Sequence, residues 1–358
     1  MAETAIEWTD KVWNPTVGCT RVSDGCRHCY AFELHDRRHA AYRAGAKLPA
    51  QYAKPFKDVQ LMPDRLDQPL HWRQPCRVFV NSMSDLFHED VPDEFIDRVF
   101  AVMALAGEHT FQVLTKRPQR LRHYLDGWVH GQCPRCSDYG MRCTHQKAYG
   151  ADRVARACGA MGFSLGMAAE VNAAMLQLPL PHCWLGVSVE DQQRADERIP
   201  LLLQVPATVR FLSCEPLLGP IDTCLSNDLI SCPHCHGFGG PLHDGSSPEE
   251  RLFNTCTKQC VACGGTGNAL HWVIIGGESG PNARPCNLEW IRSLVQQCRK
   301  AGLACFVKQL GSRPVPQTMQ DIELIAASHC GRRFIGFDPK GGNPDQWPED
   351  LRIREFPR

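Results

Sequence analysis

Residues 271–280 read HWVIIGGESG. Trp272 to Ile275 are apolar at every position, and the run ends in two glycines followed by Glu278 and Ser279. A strand with one wet face would alternate apolar and polar residues. A short continuous run instead suits a parallel strand buried on both faces. The same design recurs at residues 77–85 (RVFVNSMSD), 110–118 (TFQVLTKRP), 183–191 (CWLGVSVED), 208–216 (TVRFLSCEP) and 304–311 (ACFVKQLG). Each pairs a short apolar core with a polar end. A seventh strand is expected near residues 12–18.

Helical patterns lie between these runs. Residues 92–106 place Phe95, Ile96, Val99, Phe100 and Met103 on one face behind Pro92, a residue tolerated in the first turn. Residues 191–203 and 288–301 are further helices, the second stopped by Gly302. Alternating strands and helices imply a parallel sheet with right-handed crossovers. The expected class is therefore α/β, a complete or partial (β/α) barrel, with an open doubly wound sheet as the alternative.

Two cysteine-rich stretches break the rhythm. Residues 127–166 hold Cys133, Cys136, Cys143 and Cys158, and residues 222–270 hold Cys224, Cys232, Cys235, Cys256, Cys260 and Cys263 among many glycines. Both far exceed an ordinary connection of about 2–6 residues, so they read as metal-stapled insertions. The expected organisation is barrel over 1–126, insertion over 127–166, barrel over 167–221, insertion over 222–270, last barrel strands over 271–311, and a surface-wrapping tail over 312–358.

The chain has 358 residues, enough for one large domain or two smaller ones. Lys plus Arg equals Asp plus Glu at 39 each, which argues against coating nucleic acid by bulk charge but leaves room for a local basic groove. Residues 1–11 carry Glu3, Glu7 and Asp10 without a basic start and apolar stretch, so no secretory signal is expected. No run approaches the roughly 18 apolar residues that span a bilayer, so no membrane partner is expected and a cytoplasmic location is. In that setting the 20 cysteines point to metal chemistry rather than disulfides.

Cys19, Cys26 and Cys29 follow the first strand in the spacing C-x6-C-x2-C. Three thiolates on a tight loop suit a [4Fe–4S] cluster with one iron left open. The alternative is a zinc site completed by His28 or His35. In a parallel barrel the loop would stand on the rim where active sites form. The other strand ends would meet it there, bringing Asn81, Ser84 and Asp85, then Lys116 and Arg117, then Ser188 and Glu190, Ser213 and Glu215, Gly276 to Glu278, and Lys308. Buried Glu190, Glu215 and Glu278, with Lys116, are the acid/base candidates, although Glu190 and Asp191 can equally cap the next helix. Gly276 and Gly277 either let backbone approach a ligand or make a tight turn. Lys116, Arg117, Arg120 and Arg122 form a basic run that suits either phosphate contact or a solvated helix start.

The second insertion repeats C-x2-C-x-G-x-G at Cys232 and again at Cys260. Two such knuckles make a closed four-thiolate zinc site from Cys232, Cys235, Cys260 and Cys263, structural because no coordination position stays open. The repeat resembles the zinc knuckles of DnaJ-type chaperones over these short segments. Cys133, Cys136 and Cys143, with His145 or Cys158, form a second zinc candidate. Cys76, Cys183, Cys298 and Cys305 lie in or beside apolar runs and read as buried small hydrophobes.

The segments IEWTDKVWNPTVGC, SDGCRHCYA, VNSMSDLFHEDVP, FQVLTKRP, WLGVSVEDQ, RFLSCEPLLGPI and VIIGGESGPNARP resemble the phage-associated three-Cys-motif family, a radical-SAM-like domain of unknown function. The resemblance implies a barrel of the radical SAM type. It implies that Cys19, Cys26 and Cys29 hold a [4Fe–4S] cluster whose open iron chelates S-adenosylmethionine, so that reduction yields a 5′-deoxyadenosyl radical. It further implies that Ser84 and Asp85 bind the methionine part and that Gly276 and Gly277 lie along the adenine. The usual C-x3-C-x2-C spacing is here widened in its first gap, His28 replaces an aromatic, and SMSD stands after strand two where GGE is usual.

The expected function is thus a radical-SAM-like enzyme acting on nucleic acid or a nucleotide, with an electron donor and a partner protein. Two alternatives are a zinc module that binds nucleic acid and a non-radical Fe–S or metal-dependent hydrolase with Glu215 or Glu278 as base. Against the zinc module, residues 222–270 carry only Arg251 and Lys258 as fixed cations against five carboxylates, Asp222, Asp228, Asp244, Glu249 and Glu250.

Overall fold

The computed structural model describes residues 4–129, 144–176, 179–223, 270–327 and 338–357. Seven parallel strands form the main sheet: β1 (Lys11–Trp13), β2 (Arg77–Val80), β3 (Thr110–Thr115), β4 (Cys183–Ser188), β5 (Val209–Cys214), β6 (Trp272–Gly276) and β7 (Ala304–Gln309). Their spatial order is their sequence order, and β1 and β7 are the two edges. A doubly wound sheet would reverse direction partway along. An unreversed order sends every crossover the same way, which keeps the helices on one face and curls the sheet. The result is a partial rather than a complete (β/α) barrel.

The helices are α1 (Tyr30–Arg43), α2 (Asp93–Leu105), α3 (Pro118–Val129), α4 (Thr144–Ala160), α5 (Leu165–Leu176), α6 (Gln192–Leu203), α7 (Leu288–Ala301) and α8 (Met319–Ala327). Their ends follow local chemistry. Pro92 precedes α2, and Asp93 and Glu94 in its first turn complement the helix dipole. The Asp191 carboxylate accepts from the Arg194 amide at 2.8 Å and starts α6. Gly302, at φ 65°, closes α7 in the left-handed conformation that glycine adopts most cheaply. None of the described helices is long and apolar enough to cross a membrane.

Strand alternation divides the core. Val78, Val80, Phe111 and Val113 face outward into one cluster with α2 and α5, while Val273, Ile275, Cys305 and Val307 share another with α6 and α7. Phe79, Phe211, Trp272, Ile274 and Phe306 point inward and form a third cluster with Trp8. Cys183, Cys298 and Cys305 are buried in these cores, as their apolar surroundings in the sequence suggested.

Three expectations need correction. The first strand is shorter and earlier than residues 12–18, because Thr16–Val17 leave the sheet to pair antiparallel with Gln60–Leu61. The insertion expected over 127–166 contains α4, whose Val154 and Cys158 are buried in the α2/α5 core, so its second half is a packed helix and Cys158 serves that core. The tail does more than wrap the surface. It runs antiparallel along edge strand β7, with the Val307 amide donating to Ile353 and the Glu355 amide to Cys305, both at 2.8 Å. Phe356 then stacks on Trp272 and Phe306 and lies under the Arg77 guanidinium of β2, 4.1 Å from the ring centroid. The tail thus covers an exposed edge and reaches across the open side of the sheet.

Gly186 in β4 lies opposite Phe211 of β5, and a Cβ there would come within 2.5 Å of that ring. Substitution of Gly186 by Ala is expected to lower unfolding stability by about 1–3 kcal/mol through overpacking, measured by urea denaturation. Combining it with Phe211→Leu should cost less than the two separate losses added together.

Candidate functional site

Continuing the inward alternation past the aromatic cluster brings polar residues to the C-terminal strand ends. Asn81, Lys116, Ser213, Glu215, Glu278 and Lys308 line a cavity of about 770 Å³ there. Cys19, Cys26 and Cys29 line the same cavity. The strand ends and the cysteine loop, far apart in sequence, therefore share one space.

The loop is fixed from several sides. Gly18 has φ 105°, and a Cβ there would lie 2.7 Å from the Asp58 carbonyl oxygen, so only glycine fits the close pass. The Cys19 amide donates to the Phe56 carbonyl at 2.9 Å, and Arg21 Nε donates to the Cys26 carbonyl at 3.1 Å. The same guanidinium lies 4.2 Å over Phe32 of α1. Cys29 is the residue preceding α1, where the amide dipoles favour negative charge.

Arg117 joins this loop to the sheet. It is 5% exposed and donates to Cys19 Sγ at 3.6 Å, Thr20 Oγ1 at 2.8 Å, Asp85 Oδ2 at 3.2 Å and both Glu89 oxygens at 3.1 Å. The basic run is therefore no solvated helix start, since Arg117 is spent inside and Arg120 pairs with Asp93. Burial, then the Asp85 charge, push the Cys19 thiol up to about 12 against the opposing Arg117. His88 Nε2 lies 2.8 Å from Thr20 Oγ1, and burial followed by the Arg117 charge holds its pKa below the usual imidazole value.

Ser84 and Asp85 line the cavity, but their polar groups are committed to the protein. Ser84 Oγ donates to the Thr16 carbonyl at 3.0 Å. Asp85 accepts from the Phe87 and Lys116 amides at 3.0 Å, from Thr115 Oγ1 at 2.7 Å, and from Arg117. They tie the ends of β1, β2 and β3 together.

The three glutamates separate in role. Glu190 is fully buried outside the cavity wall, pairs with Arg198 at 3.0 Å, and packs against Gly25, whose hypothetical Cβ would lie 2.9 Å from its carboxyl carbon. Burial acts to raise its pKa, yet Lys116 and Arg198 outweigh this and hold it below the ordinary value. It supports the cysteine loop from beneath, and Asp191 is the helix cap. Glu215 and Glu278 do reach the cavity. Glu215 pairs with Lys308 at 2.6 Å, and Glu278 accepts two bonds from the Arg284 side chain at 2.9 and 2.6 Å and one from its amide at 2.8 Å. Burial opposes ionisation of Glu278, but the Arg284 bonds prevail and lower its pKa, so it is an anion at neutral pH. Lys116 has no ion pair among the described residues.

Gly276 and Gly277 answer to packing first. A Cβ on Gly277 would collide with the Leu310 carbonyl, and one on Gly276 would press on Glu215 at 3.3 Å. Of the two, only Gly277 lines the cavity.

Asn81 was expected on the rim only as one of several polar strand ends, and Trp8 and Lys340 were not expected there. Asn81, at the end of β2, has φ 61°, a conformation that costs most non-glycine residues about 1–2 kcal/mol and that Asn tolerates best. It is 3% exposed, and neither side-chain amide atom has a hydrogen-bond partner. Trp8 and Lys340 enter from the N-terminal segment and the tail. The place of Asn81 directly after an apolar strand was legible; its left-handed backbone and unbonded amide were not. The other two depend on chain crossings that no local pattern encodes.

Cys19, Cys26 and Cys29 are free thiols on one cavity wall, a donor set whose chemistry suits iron. Among the described residues, no three His, Cys, Asp or Glu side chains converge as they would on one metal. His35 is fully buried away from the cavity, with Nε2 bonded to the Lys54 carbonyl, whereas His28 lines the cavity beside the three cysteines. The zinc candidates Cys133, Cys136, Cys143, Cys232, Cys235, Cys260 and Cys263 lie outside the described residues.

Fold and site together define an α/β partial barrel with a three-cysteine loop at the cavity formed by its strand ends. The chain belongs to the family described as a protein of unknown function (DUF5131), whose model matches residues 3–336. No curated protein and no solved structure matches the chain.

Arg117→Ala would leave the Asp85 carboxylate buried without its cation, and is expected to cost about 3–5 kcal/mol in urea denaturation. The double variant with Asp85→Asn should cost less than the sum of the single losses. Gly277→Ala is expected to cost at least about 1–3 kcal/mol by forcing β6 from β7, read from the thermal unfolding midpoint.

Proposed function

We propose that this protein is an iron–sulfur enzyme of the radical S-adenosylmethionine type, with a nucleotide or nucleic acid as substrate. The observation that carries the reading is that Cys19, Cys26 and Cys29 line one cavity with the inward-facing strand ends of a sequential parallel sheet. In such folds the loops after the strands hold the chemistry. This last step is an analogy of fold; the all-sulfur donor set is the chemical argument.

When bound, the cluster and S-adenosylmethionine supply one-electron cleavage of the sulfonium and hydrogen-atom abstraction. The chain's own residues do the rest. Cys19, Cys26 and Cys29 would ligate iron, and Arg117 would keep its N–H donor on the Cys19 sulfur. Such a bond stabilises negative charge on the ligand and holds the loop in place. The inward aromatic cluster closes the lower end of the cavity to water. Glu215 with Lys308, and Glu278 with Arg284, present fixed charges for orienting a ligand. Because both glutamates are already paired with cations, neither is well placed as the free base that a hydrolase reading requires. Outside the described residues, Cys232, Cys235, Cys260 and Cys263 would hold a structural zinc, with Cys133, Cys136 and Cys143 contributing to a second. An electron donor is required, and a partner protein can supply it.

Metal analysis of anaerobically reconstituted protein tests the assignment. The wild type is expected to hold about four iron and four sulfide per chain with one or two zinc. Cys26→Ala should lose the iron and keep the zinc, and Cys235→Ala should do the reverse. Iron content unchanged in Cys26→Ala would remove the cluster from this loop. With iron loaded and a reductant added, S-adenosylmethionine should yield 5′-deoxyadenosine.

A further inference from the structure

Asn81 stands out in the cavity wall because its amide is deeply buried and unused. Its backbone is fully engaged, with the amide donating to Trp13 at 2.7 Å and the carbonyl accepting from Ser84 at 3.3 Å. The side chain is therefore not needed to hold the turn. Nearby Asn14 offers a contrast, since its Oδ1 accepts from the Met83 amide at 2.9 Å and its Nδ2 donates to Ser82 at 3.2 Å. Trp8, 2% exposed and lining the same cavity, also has an indole N–H without a partner. Buried polar groups in folded proteins are nearly always bonded, so two unbonded ones on one cavity wall point to a ligand.

The surroundings define that ligand's shape. Phe79 lies two residues before Asn81 on the same strand face, its ring 4.7 Å from that of Trp8, and Leu114 adds an apolar wall. Of the carboxylates that line the cavity, Glu215 is held by Lys308, Glu278 by Arg284 and Asp85 by Arg117, and Glu7 lies at its exposed N-terminal side. Lys116, after the neighbouring strand, and Lys340, from the tail, line the same cavity, and neither has an ion pair among the described residues. The site thus pairs a neutral hydrogen-bonding floor with aromatic walls and two ammonium groups that make no direct ion pair among the described residues, Lys116 meeting Glu190 only through its charge.

We infer that this floor is a nucleobase pocket, in which Asn81 reads the edge of a substrate base while Lys116 and Lys340 meet the phosphate of the same nucleotide. A carboxamide presents a donor and an acceptor side by side, the pattern that matches the edge of a base. Aromatic rings give a flat heterocycle its stacking surface. A peptide amide would satisfy Asn81 but would call for neither the rings nor the cations. The inference deepens the proposal above and rests on it for the reaction, but nucleotide binding itself needs no turnover.

The test is calorimetric titration of the full-length protein with the four deoxynucleoside 5′-monophosphates and the four nucleosides, with and without saturating S-adenosylmethionine. The wild type should bind the monophosphates with a preference among bases. Asn81→Gly keeps the left-handed backbone and removes only the amide; it should lose about tenfold on the preferred nucleotide and flatten the preference. Asn81→Asp, which exchanges the donor for an acceptor, should change which base is preferred. Lys116→Ala and Lys340→Ala should each shrink the advantage of nucleotide over nucleoside and reduce its salt dependence. Failure of every probe to bind, unchanged base preference in Asn81→Gly and Asn81→Asp, or a loss confined to S-adenosylmethionine would each overturn the inference. Cofactor cleavage that persists beside such a failure leaves the proposed reaction standing. Base-selective binding by a protein that takes up no iron does the opposite.

Discussion

The guanidinium of Arg117 sits where three loops meet: the cysteine loop at Cys19 and Thr20, the end of β2 at Asp85, and the following segment at Glu89. A buried cation is costly unless its charge and its donors are answered. Here one guanidinium is answered by two carboxylates, a threonine and a sulfur, from segments almost a hundred residues apart in the chain. The planar fork of arginine suits this many-sided task, which an ammonium group cannot reproduce. Removing Arg117 would leave Asp85 buried without its cation, so the position of Cys19 is coupled to the geometry of the sheet. On the other side of the loop, Glu190 supports Gly25 with help from Arg198. The loop is thus held between two buried ion pairs.

The sheet supplies the space that this loop covers. Because spatial order follows sequence order, one parity of each strand faces inward along its whole length. Aromatic residues fill the N-terminal part of that face and polar residues its C-terminal part. Gly186 makes room for Phe211 within the aromatic layer. The seam between β7 and β1 is not closed by strand pairing. The tail lies along β7, with Phe356 under Arg77, and Lys340 joins the cavity wall. A cavity open at one end and packed with rings at the other favours charged and hydrogen-bonding groups at the mouth and water exclusion at depth.

Much of this was legible locally. The runs at 77–85, 110–118, 183–191, 208–216, 271–280 and 304–311 announced buried strands because each has a short apolar core with no regular wet face, and all became neighbours in one parallel sheet. Pro92 and Gly302 marked helix ends because each restricts or frees φ. Whether the barrel closes was not legible, since that depends on β1 and β7 meeting and no residue near either signals it. In the candidate site, the cysteine spacing and the polar strand ends did converge on one cavity. The roles of the carboxylates did not follow from pattern. Glu190 and Glu278 sit at equivalent strand ends, but their partners Arg198 and Arg284 orient one beneath the loop and the other toward the cavity. Arg117 read as part of a basic run, because the acids that claim it, buried Asp85 and exposed Glu89, lie in another loop.

Electron paramagnetic resonance of the anaerobically reconstituted, reduced protein, recorded with and without S-adenosylmethionine, probes the cysteine loop most directly. A cluster held by Cys19, Cys26 and Cys29 with one open iron predicts a signal of a reduced [4Fe–4S] centre whose g values shift when S-adenosylmethionine is added. A protein that gives no such signal after reconstitution, or one whose signal is indifferent to S-adenosylmethionine, would contradict the assignment of this cavity to radical chemistry.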